Sequence, residues 1–188
     1  MRIGQNASEF QHPDPGTVSA VCTRIIDLGT QENKQGKKKR MVMLGWEIDQ
    51  KMEDGRPFLV SSRFPANTSP QALLGSMLES WRGSPLSEAE LNDFDLGKLL
   101  GAGCLLTIMR EGNYTNVKTV VGLVKGMKKL EIHGPFVHLD LDNFCQEMFD
   151  SLSDALKATI QKSPEYARLS ADQHKNIDGK LDADDIAF

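Results

Sequence analysis

Two stretches of this chain concentrate positive charge with no acid to offset it. Lys34, Lys37, Lys38, Lys39 and Arg40 fall within seven residues, and Lys118, Lys125, Lys128 and Lys129 within twelve. Lysines grouped in this way neutralise phosphates and release the counterions of a polyanion. Aromatic faces beside them would add base stacking, about 1–3 kcal/mol per base and tolerant of sequence. Tyr114 is the best placed, following Asn113 in a turn-like EGN and preceding Asn116 and Lys118. Phe58 and Phe64, with Arg63 between them, are further candidates. Parity puts Phe58, Val60, Ser62 and Phe64 on one face and Leu59, Ser61 and Arg63 on the other; which is wet is left open. Trp46 shares its face with Val42, Leu44 and Ile48 and reads as core, and Trp81 beside Arg82 as a packing anchor.

Other chemistries lack their residues. The histidines at 12, 133, 138 and 174 are scattered without an HExxH or CxxC companion, so no metal is expected. GxSxG, P-loop and GxGxxG motifs are absent, and with them any catalytic residue or cofactor. Asp140 and Asp142 form an acid pair that reads as a solvated strand end. HKNIDGKLDADD, residues 174–185, partly matches a calcium loop, but starts on His174 and ends on Asp185 where aspartate and glutamate belong.

The positioning elements follow from periodicity. TVSAVCTRIIDLG, RMVMLGWEID and PFLVSSRF read as three strands, Gly45 hinting at a bulge and MEDGR supplying a hairpin turn. Ser69 and Pro70 predict a helix start, with Leu73, Leu74, Met77, Leu78 and Trp81 at helical spacing. Ser87 and Glu90 form a capping-box pattern ahead of Leu91, Phe94 and Leu99. Two strands separated by EGN then follow. The class is mainly β with helices (α+β). Five strands with a helical insert between the third and fourth is the order of the OB-fold, a small, partly open barrel. The expected organisation is a flexible lead-in at 1–15 and the OB-fold at 16–130. An extended segment and an amphipathic helix (143–162; Phe144, Met148, Leu152, Leu156) occupy 131–162, and a disordered acidic tail 163–188.

At 188 residues the chain suits one domain with extensions. No apolar run reaches membrane-spanning length and no export signal is visible, so a cytoplasmic protein without a membrane partner is expected. Cys22, Cys104 and Cys145, each in an apolar segment, read as buried reduced thiols. Of the net charge of −4, residues 169–188 hold −3 and leave −1 for the body, so an acidic total does not oppose a polyanion partner.

The last six residues, Ala183, Asp184, Asp185, Ile186, Ala187 and Phe188, resemble the acidic tip of bacterial single-stranded DNA-binding proteins, which ends Asp-Asp-Asp-Ile-Pro-Phe. Two acids, the isoleucine and the terminal phenylalanine match. Ala187 replaces the proline and loosens the extended geometry that proline favours. The body resembles a phage-encoded family assigned to the same role, through IIDLGTQ, WE, LESWRG and FDLGKLLG, over roughly residues 16–130. The resemblance implies a non-catalytic protein that coats single-stranded DNA without strong sequence preference in replication, recombination and repair. DNA contacts would come from Lys37, Lys38, Lys39, Arg40, Phe58, Arg63, Phe64, Tyr114, Lys118 and Lys125. Asp184, Asp185, Ile186 and Phe188 would dock replication and repair proteins, the Phe188 ring in an apolar pocket and its carboxylate on a basic side chain. The alternatives are a protein-binding module or decoy that uses the same tip, and a nuclease. The sequence leaves a homo-oligomer open.

Overall fold

The stretch MVMLGWEI, residues 41–48, is apolar at almost every position, whereas a strand with one wet face alternates. The computed structural model, which describes residues 11–171, gives the reason: this strand is covered on both faces. The elements are β1 (Gly16–Glu32), β2 (Lys38–Lys51), β3 (Pro57–Pro65), α1 (Leu73–Arg82), α2 (Glu88–Asn92) and a 3-10 turn (Leu96–Leu99). After them come β4 (Gly103–Glu111), β5 (Tyr114–Gly122), β6 (Val137–Leu139), α3 (Gln146–Asp150) and α4 (Asp154–Ile160). The α+β class and the helical insert between the third and fourth strands are both present. Among the described residues no helix is long and apolar enough to cross a membrane.

The sheet order is β3-β2-β1-β4-β5. β1 serves two antiparallel partners, residues 20–32 against β2 and 16–21 against β4, and β6 joins it in parallel at 24–26. Among the described residues β3 and β5 remain edges, so the sheet is open and no ladder closes the expected five-stranded barrel. The bulge anticipated at Gly45 lies in the facing strand. Cys22 pairs with Trp46 and Arg24 with Gly45, leaving Thr23 as the extra residue. That insertion resets parity, so Cys22 and Ile25 face the same core. Gly29, expected to end the first strand, sits inside it at φ 67° beside a second register shift.

One core lies between the sheet and α1, built from Val42, Leu44, Trp46, Ile48, Phe58 and Phe64 with Leu74, Leu78 and Trp81. The Trp81 indole donates to the Gly103 carbonyl at 3.0 Å, and Ser80 donates to the Val120 carbonyl of β5 at 2.9 Å. A second core forms where the extension covers the other face: Ile26, Leu28 and Met43 meet Val137, Leu139, Leu141, Phe149 and Ile160. Glu47, on that covered face, is 1 % exposed, and its two carboxylate oxygens accept the backbone N–H groups of His133 and Gly134 at 2.9 and 3.0 Å. This satisfied charge ties the extension to β2.

Several boundaries differ from expectation for local reasons. α1 starts after Ala72, not after Ser69: Ser69 and Pro70 open a single turn closed by Ala72 N–H on the Ser69 carbonyl at 2.8 Å, and the 68–69 backbone then lies against Gly75 of the helix. The capping box at Ser87 and Glu90 forms, but the helix stops at Asn92, and Asp95 caps a separate 3-10 turn through Gly97 N–H. The single helix at 143–162 is two short ones, parted at 151–153. Residues 164–171, placed by the sequence in the tail, are helical. Tyr166 stacks on Phe149 with ring centroids 5.0 Å apart, and Leu169 packs on the second core. Cys22 and Cys104 are buried, but Cys145 is exposed. Burial pushes the Cys22 thiol up to about 12 and raises Cys104 as well, which leaves both unreactive.

Candidate nucleic-acid interface

The basic loop between β1 and β2 is an ordered turn. The Asn33 side chain accepts from the N–H groups of Gln35 and Lys37, both at 2.9 Å, and Asn33 N–H donates to the Lys37 carbonyl at 2.9 Å. Gly36 supplies the positive φ of 76° that the reversal requires. Strand alternation then splits the cluster in two. Lys37 and Lys39 line a depression of about 430 Å³ together with Arg63 from β3 and Gln31 from β1, three cations against one acid, Glu32. Lys38 and Arg40 have the opposite parity.

Arg40 is engaged in the fold. It pairs with Asp27 and, at 2.8 Å, with Asp142. The hydrogen bond to Asp27 is the main reason its already high pKa is driven higher. It lines a separate cavity of about 780 Å³ with Asp93, Asp95 and Asp140, where a phosphate would be repelled. Of the acid pair, Asp142 therefore serves this bridge, and Asp140 accepts the N–H of Asp142 at 2.9 Å.

β3 carries the track onward. Leu59, Ser61 and Arg63 share its exposed face, while Phe58 and Phe64 are 7 % and 9 % exposed in the core. Both rings pack in the core rather than standing on the exposed face, and Phe58 borders the depression at Tyr114 from below. Beyond Leu59, the β4–β5 turn brings Asn113 and Tyr114 to a depression of about 520 Å³ shared with Leu59, Ser61 and Arg56. Tyr114 is 75 % exposed. From the level of Leu59, which pairs with Glu47, down β2 to Lys39 is about 26 Å at strand rise.

Lys118 and Lys125 stand apart. Lys118 pairs with Glu111 at 2.8 Å, and this contact holds the Glu111 carboxyl below its usual range. Lys125 follows β5, at the end of the β4–β5 hairpin opposite Tyr114, where Leu123 and Lys129 pack around Gly103. Asp184, Asp185, Ile186 and Phe188, like the calcium-like stretch, lie outside the described residues. Leu59 and Ser61 were missed as site residues because parity alone did not say which face of β3 is wet. No family model matches the chain, and neither does any curated protein.

Proposed function

We propose that this protein binds single-stranded DNA along the exposed face of β3, as an OB-type module without strong sequence preference, and recruits replication or repair proteins through residues 184–188. The observation that carries the reading is the meeting of Lys37, Lys39 and Arg63 in one depression, in line with exposed Leu59 and Tyr114. Cations at one end and an aromatic face at the other are the two components of sequence-tolerant single-strand binding. The strand order supports the OB-type assignment. β1 is shared between two partners, the helical insert lies between β3 and β4, and the edges β3 and β5 approach at the Tyr114 depression. The groove expected of such a fold runs beside the loop joining its first two strands, where Lys37 sits.

A competition assay tests this. A labelled single-stranded oligonucleotide bound to the full chain should be displaced by unlabelled single strand of the same length and poorly by duplex. Equal displacement by duplex would argue for a generic polyanion surface. No binding at all would leave the protein-docking role alone.

A further inference from the structure

We infer that Arg24 is a further phosphate contact midway along the β3 track; the inference rests on the reading above and deepens it. Arg24 of β1 pairs with Gly45 of β2, and Gly45 pairs with Ser61 of β3. The three form one row across the sheet, two strand spacings or about 10 Å wide. A Cβ placed on Gly45 would meet Arg24 Cβ, Cδ and Cγ at 3.0, 3.4 and 3.5 Å. The arginine stem therefore lies over the glycine, in the row that ends at Ser61. The absent side chain at 45 is what leaves it room.

The guanidinium ends this path without a partner. Among the described residues no carboxylate pairs with it, and its Nε is buried with no hydrogen-bond acceptor. A half-buried cation without a counter-charge is costly, and an anion reaching the terminal nitrogens, which are not enclosed as Nε is, would offset that cost. Ser61, at the far end of the row, is exposed between Leu59 and Arg63. A phosphate held there falls between the Tyr114 end and the Lys37–Lys39–Arg63 end, where the track otherwise has no cation.

The test uses the full chain and labelled oligodeoxythymidylate, with anisotropy followed against salt. Arg24→Gln should bind about tenfold more weakly, the order expected of one charge-assisted contact. Its log–log salt slope should be shallower by about 0.7. Arg24→Lys should keep the slope, and Gly45→Ala, which displaces the stem without changing charge, should weaken binding. In the wild type, the Arg24 Nε–H resonance should shift as oligonucleotide is added; an unmoved resonance overturns the contact even where a variant folds poorly. Wild-type affinity and slope in Arg24→Gln, with Lys37→Gln/Lys39→Gln impaired, would remove Arg24 and leave the track standing. Failure of the wild type to bind would remove both.

Discussion

Tyr114 is 75 % exposed and Phe58 is 7 % exposed, so the same mutation to alanine should act on different observables at the two sites. Tyr114→Ala should weaken oligonucleotide binding by about 1–3 kcal/mol and leave melting unchanged, with Tyr114→Phe near wild type. Phe58→Ala should instead lower stability by about 3–5 kcal/mol, read by denaturant unfolding. Glu165 gives a pH prediction. Burial pushes its carboxyl up, but the Thr30 N–H and hydroxyl donate to it at 2.8 and 2.7 Å and leave it below the ordinary value. A folded value below the unfolded one means the stabilisation is complete above the usual glutamate value of about 4.3 and is lost as pH falls through the depressed one. The gap in Tm between wild type and Glu165→Gln should therefore be present at pH 7 and close in acid. A gap independent of pH would contradict the assignment.

At the scale of elements, the extension is the part the sequence hid. Strand order and the core face of β2 were legible because Val42, Leu44, Trp46 and Ile48 keep strict alternation. The second face was written in the same strand, as Met43 and the neighbouring apolar residues, but a fully buried strand carries no sign of what covers it. The tail boundary failed for a related reason. Residues 164–171 offer a single apolar pair at helical spacing, Tyr166 and Leu169, too little for a period to stand out, and their helix is held by tertiary contacts: Tyr166 on Phe149, Glu165 on Thr30, and Ser163 against Gly29. Gly29→Ala should test that junction. It places a side chain at positive φ, at about 1–2 kcal/mol, and drives it into Ser163. The expected result is a lower Tm together with faster amide exchange across 164–171; unchanged exchange there would mean that the helix docks without this contact. The basic loop was legible as charge but not as direction. Alternation sends Lys37 and Lys39 to β3, whereas Arg40 turns to Asp27 and Asp142.

At the scale of the whole molecule, charge is segregated. Lys37, Lys39 and Arg63 gather on one side of the β1–β2 hairpin with one acid, Glu32, beside them, and Asp27, Asp93, Asp95, Asp140 and Asp142 surround Arg40 in the cavity on the other. The last described helix sits on β1 through Thr30, two residues from the end of the strand that leads into the basic loop. A truncation that isolates the proposed tail should therefore end at residue 171, since one ending at Lys162 also removes Ser163, Glu165 and Tyr166. The most direct measurement is the salt dependence of single-stranded DNA binding by fluorescence anisotropy, for the wild type and for Lys37→Gln/Lys39→Gln/Arg63→Gln. The expected wild-type result is affinity that falls with salt at a log–log slope of about −0.7 per neutralised phosphate, made shallower by about 2 units in the triple variant. Binding that ignores salt, or a triple variant that keeps the wild-type slope, would contradict the account.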